Sequence, residues 1–124
     1  MTTKRPVNLD IGTIKLPITA YASILHRVSG VILFFVAGLL LWLLDASLAS
    51  PESFSDIKEC LSGPLSKLVL WGALSVLAYH FCAGIRHLVM DLGVGETLEG
   101  GKLGAKLVFV ASVVLILLAG VWVW

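Results

Sequence analysis

The residues best able to do chemistry in this chain sit in two short strings. One is "HFCAGIRH", His80 to His87, and the other is "SILHR", Ser23 to Arg27. Between them they hold all three histidines of the chain. Both strings lie in or beside strongly apolar runs, where an ionisable side chain is expensive and by default marks function. At the rise of an α-helix, His80 lies about 10 Å along the axis from His87, and so deeper in the apolar run. Residues 80, 84 and 87 share one helical face. A neutral imidazole is a common metal ligand. Gly84, one turn from His80, removes side-chain bulk and lets a flat ligand approach the backbone. That pattern suits a porphyrin whose iron takes His80 as an axial ligand. Arg86 and His87, nearer water, would then meet its anionic propionates through charge-assisted bonds. A six-coordinate b-type heme needs two axial ligands. His26 and His87 lie at the depth of the propionate edge rather than of the iron, so the second ligand is expected from another subunit, which implies a hetero-oligomer. A plainer reading stays open beside this one. Each histidine could bond a neighbouring helix, each arginine could reach headgroups, and Ser23 could be a helix cap.

The elements that must position these groups are membrane helices. The chain has 124 residues, 58% hydrophobic and 14% charged, against about 45–50% and about 25% in soluble domains. Its net charge of +1 gives no electrostatic case for nucleic acid. Three runs reach the length of about 20 apolar residues that a span requires: about 23–44, 65–89 and 106–124. The expected fold is therefore all-α, a three-helix transmembrane unit over 23–124 behind an N-terminal arm, 1–22. The first fifteen residues lack an apolar h-region and a small-residue cleavage site, so the first span is expected to insert uncleaved. Pro17 should turn the chain toward it. Of the nine Lys and Arg, seven (Lys4, Arg5, Lys15, Arg27, Arg86, Lys102, Lys106) flank the N-terminal side or the second loop, and two (Lys58, Lys67) the first loop. The positive-inside rule then places the N-terminus in the cytoplasm and the C-terminus in the periplasm, with Trp122 and Trp124 as interfacial anchors. His26, Arg27, Arg86 and His87 fall on the same side of the membrane.

The loops read as structural. In the first, Ser50 should cap a short helix with Pro51 at its first position, and Phe54, Ile57 and Leu61 should lay it along the interface. The second, with five glycines from Gly93 to Gly104, reads as a flexible turn; no strand precedes it, so a nucleotide loop is not indicated. Cys60 and Cys82 fall at different depths, which argues against a disulfide, and their spacing is not that of a zinc site.

Two stretches carry a family resemblance. "RPVNLDIGTIKLPITAYASILHRVS", Arg5 to Ser29, resembles the N-terminal signature of the cytochrome b556 subunit family of succinate dehydrogenase, which runs from Arg-Pro to Ser-x-x-His-Arg-x-Ser. "HFCAGIRHLVMDLG", His80 to Gly93, resembles the second signature of that family. The likeness covers essentially the whole chain and looks most like the large membrane anchor of enterobacterial type.

The resemblance implies the rest. The chain would pair with a second, smaller membrane anchor in a heterodimeric helical bundle of the bacterial inner membrane. Together they would hold the flavoprotein and iron–sulfur subunits on the cytoplasmic face. His80 matches the axial ligand of heme b, with the other ligand from the partner anchor. His26, Arg86 and His87 match positions near the propionates. Ser23 and Arg27 match residues of the ubiquinone site, and Asp91 lies near that site or its proton path. The chemistry agrees with these roles. Quinone reduction puts negative charge on oxygen before protons arrive, and a fixed cation such as Arg27 offsets it. A hydroxyl such as Ser23 can donate to a quinone carbonyl. The chain has no flavin or iron–sulfur ligand set, so succinate oxidation belongs to other subunits. Two alternatives stand: an anchor of a quinol:fumarate reductase, with the same architecture and the opposite direction, or a purely structural anchor.

Overall fold

The computed structural model of the chain describes Gly12 and residues 14–124. Lys4, Arg5 and Pro6, used above for orientation and for the first signature, lie outside the described residues, as does most of the expected arm. Among the described residues there are four helices and no strand: α1 (Ile18–Leu48), α2 (Pro51–Leu61), α3 (Pro64–Asp91) and α4 (Leu98–Val123). Three of them, α1, α3 and α4, are long and apolar enough to cross a membrane. α1 has 31 residues, about 46 Å of helix, so it outreaches a hydrocarbon core of about 30 Å.

Local chemistry accounts for the helix ends. α1 starts directly after Pro17, whose extended backbone serves as the cap; it begins five residues before the expected span. α2 is capped as its sequence suggests: the Ser53 amide donates to Ser50 Oγ at 3.0 Å, and Pro51 holds the first helical position. α3 closes in a Schellman motif. Gly93 takes φ +85°, its amide donates to the Met90 carbonyl at 2.9 Å, and the Val94 amide donates to the Val89 carbonyl at 3.3 Å.

The glycine-rich second loop departs from expectation. Only residues 92–97 form the turn, and α4 is already helical from Leu98. Thr97 caps it, its Oγ1 accepting from the Gly100 amide at 3.0 Å. Two of the glycines in the helix face other helices at ordinary contact distance. A Cβ on Gly101 would lie 3.6 Å from Thr19 Cγ2 of α1, and one on Gly104 would lie 3.4 Å from Arg86 Nε of α3.

Packing follows the membrane pattern, in which small residues let helices approach. The buried residues are Ala22 and Ser29 of α1, Ala83 of α3, and Gly101, Ala105, Val108 and Ser112 of α4. Among the described residues no large side chain is fully buried, and Phe34, Phe35 and Trp42 lie open on the outside. Such an apolar exterior suits lipid or another membrane subunit. The most extensive packing is between α3 and α4. There Trp71 Nε1 donates to the Ile116 carbonyl at 2.7 Å, and its ring lies where a Cβ on Gly120 would fall, at 3.1 Å.

Candidate functional site

Where α1 crosses α3, the three histidines come together. The rings of His26 and His80 stack with centroids 4.3 Å apart and planes 18° off parallel. The His87 ring lies 5.8 Å from that of His26. His80 is half-buried and held by α1: its Nδ1 is 2.8 Å from Ser29 Oγ and 3.2 Å from the His26 carbonyl oxygen. Next to it, the Tyr79 hydroxyl donates to the Ala22 carbonyl at 2.7 Å. Two successive residues of α3 therefore grip one stretch of α1, and this fixes the height and rotation of the pair. Gly30 makes the approach fit, since a Cβ there would come within 3.1 Å of His80 Cε1. Gly84 faces the His26 ring, and a Cβ there would lie 3.7 Å from His26 Nε2, an ordinary contact distance.

Ser23, Arg86 and His87 meet elsewhere. All three line a cavity of about 390 Å³ between the start of α1, the end of α3 and the start of α4, together with Thr19, Met90 and Glu96. His87 thus joins the histidine cluster to this cavity. Arg86 turns toward α4 rather than toward His80. Its guanidinium lies against Gly104, one nitrogen reaches the Gly101 carbonyl at 3.5 Å, and its Nε is buried without a hydrogen-bond partner. Arg27 and Asp91 are exposed, and their side chains make no hydrogen bond or ion pair among the described residues. Cys60 and Cys82 are free thiols, on α2 and α3. Among the described residues no three His, Cys, Asp or Glu side chains converge as a metal-ligand set.

Three residues of this region escaped the sequence reading: Ser29, Gly30 and Tyr79. For Ser29 and Gly30 the signal was present in the string "HRVSG". Small residues inside an apolar helix mark the line where a second helix lies close, and a polar ring facing them finds its partner there.

Fold and site together define a multi-pass membrane protein, three spanning helices with an imidazole cluster at the crossing of the first and second spans. Residues 1–119 match the family model described as the succinate dehydrogenase/fumarate reductase transmembrane subunit. The chain is 46% identical to the succinate dehydrogenase cytochrome b556 subunit of Coxiella burnetii over the full length of both chains. It is 34% identical to the subunit of the same name from Paracoccus denitrificans, over 92% of this chain and 88% of that one. With the Rickettsia prowazekii protein of that name it shares 34% identity, over 97% of this chain and 92% of the other. This chain therefore belongs to the family of succinate dehydrogenase/fumarate reductase transmembrane subunits.

Proposed function

We propose that the chain is the large membrane anchor of a succinate:ubiquinone oxidoreductase of the bacterial inner membrane, serving aerobic respiration and the tricarboxylic acid cycle. Its N-terminus lies in the cytoplasm and its C-terminus in the periplasm. It pairs with a second anchor, and the two dock the iron–sulfur and flavoprotein subunits. It is a non-catalytic electron-transfer subunit. Two cysteines cannot hold an iron–sulfur cluster, which takes four ligands.

The observation that carries this reading is the state of His80. Two oxygens of α1 occupy its Nδ1, so Nε2 is the nitrogen left for a metal. Iron inside a porphyrin asks the protein only for axial ligands. One histidine from this chain and one from the partner anchor meet that need without a cluster of three ligands. The residues therefore fit heme b, which when bound supplies reversible one-electron transfer. His80 holds its iron. Arg86 and His87 line one cavity and His26 stacks on His80; these cationic and hydrogen-bonding groups would meet the propionates.

Ser23 and Arg27 belong to the ubiquinone site. Ser23 is half-buried at the cavity wall and orients a quinone carbonyl by donating to it. Arg27 is exposed, which suits a site completed by the iron–sulfur subunit and the partner anchor. There its charge offsets the negative charge that reduction places on oxygen. Asp91, at the exposed end of α3, stands at the rim of that site or on its proton path.

A reduced-minus-oxidised spectrum of the purified complex tests the heme assignment. The b-type band should vanish in His80→Ala and persist in His26→Ala. Persistence of the band in His80→Ala would remove His80 as ligand, and absence of any such band from the unaltered complex would leave a structural anchor.

A further inference from the structure

The assignments above leave one buried polar side chain of α1 without a role. Ser29 is only 6% exposed, and its hydroxyl has two neighbours. One is the His26 carbonyl of its own helix at 2.7 Å, and the other is His80 Nδ1 at 2.8 Å. A carbonyl oxygen only accepts, so the single hydroxyl proton goes to it. The lone pairs of Oγ are then what His80 meets. The same carbonyl stands 3.2 Å from Nδ1, again as an acceptor. Nδ1 faces two acceptors, so it carries the proton of the neutral ring and Nε2 keeps its lone pair. The opposite tautomer would require the hydroxyl to turn and donate to Nδ1. That would forfeit its bond to the carbonyl and leave the carbonyl lone pair pointing at a nitrogen lone pair.

We propose that Ser29, with the His26 carbonyl, presets His80 as an Nε2 ligand and raises its strength as an electron donor to heme iron. Ser29 is then a positioning residue, acting through His80. The proposal rests on the reading of His80 as the axial ligand. The physical ground is general. A metal-bound histidine commonly donates its other ring N–H to an oxygen, which fixes ring orientation and increases ligand basicity. In a membrane interior no bulk water substitutes for a lost acceptor. The bond to Ser29 is shorter than the one to the carbonyl, so it carries the larger share.

The test uses the whole purified complex and three substitutions: Ser29→Ala, Ser29→Thr and His80→Ala. Two properties are read besides turnover: the rate at which heme is lost to an excess heme-binding scavenger protein, and the midpoint potential from a spectroelectrochemical titration. Alanine keeps the helix, so Ser29→Ala is expected to assemble and retain its heme band. It should lose heme about 10-fold faster or more, and its potential should rise, because a less basic imidazole stabilises ferric iron less. Ser29→Thr keeps the hydroxyl and its bond to the preceding turn and should bring both properties back toward the unaltered values. Unchanged heme loss and potential in Ser29→Ala, with the band lost in His80→Ala, overturn the role of Ser29 alone. Equal behaviour of Ser29→Thr and Ser29→Ala assigns the effect to packing and also overturns it. A band that survives His80→Ala overturns the ligand reading itself.

Discussion

A methyl group at position 30 tests how tightly α1 holds His80. Gly30→Ala would place a Cβ 3.1 Å from His80 Cε1, a few tenths of an ångström inside ordinary contact. The ring cannot simply retreat. Its Nδ1 is tied to Ser29 Oγ at 2.8 Å, and His26 stacks on its face. Stretching that hydrogen bond toward its useful limit forfeits about 0.5–1.5 kcal/mol, and overpacking adds about 1–3 kcal/mol. Alanine regains about 1 kcal/mol over glycine as a helix former. The balance is a destabilisation of about 0.5–3.5 kcal/mol from those same magnitudes. Gly38, two turns further along α1, has nothing within 4 Å of its would-be Cβ, so Gly38→Ala keeps the propensity gain without the clash. The assay is thermal denaturation of the detergent-solubilised complex, followed by far-ultraviolet ellipticity and by the heme band. Gly30→Ala should lose both signals at a lower temperature than the unaltered complex, while Gly38→Ala should not fall below it. A Gly30→Ala complex as stable as the unaltered one would refute the close grip on His80.

Two further outcomes are expected. Ser23→Ala and Arg27→Ala should slow ubiquinone reduction by the complex while electron transfer to an artificial dye acceptor survives; loss of both activities together would indicate failed assembly rather than a damaged quinone site. Trp71→Phe removes the donor to the Ile116 carbonyl and part of the ring that packs on Gly120, and should lower stability by about 1–3 kcal/mol, read as an earlier thermal transition with an unchanged heme spectrum.

The spans were legible because hydropathy and length alone decide them, and α2 was legible because Ser-Pro is a local signal for a helix start. The glycine-rich stretch misled for an equally physical reason. Each glycine costs a helix about 1 kcal/mol against alanine, and that cost hid the start of α4, which Thr97 caps at Leu98. Within the site, topology set the three histidines on one side of the membrane, but it put His26 at the depth of His87, whereas its ring stacks on the deeper His80. The direction of Arg86 was available from helix geometry: six residues carry it about 120° around the axis from His80, whereas seven bring His87 back to within about 20°. The hydrogen bond from His80 to Ser29 was out of reach, because it depends on how far α1 and α3 slide and rotate against each other.

The Trp71 contact has a consequence for how this protein can change. Trp71 locks α3 to α4 through the Ile116 carbonyl and Gly120, while His80 locks α3 to α1. Nine residues separate them, about two and a half turns, which sets the two side chains on opposite sides of the helix. Substitutions between them leave that phase intact. One inserted or deleted residue would swing His80 by about 100° out of its crossing with α1. The interval from 71 to 80 thus works as a ruler of fixed length, open to changes of letter but closed to changes of count.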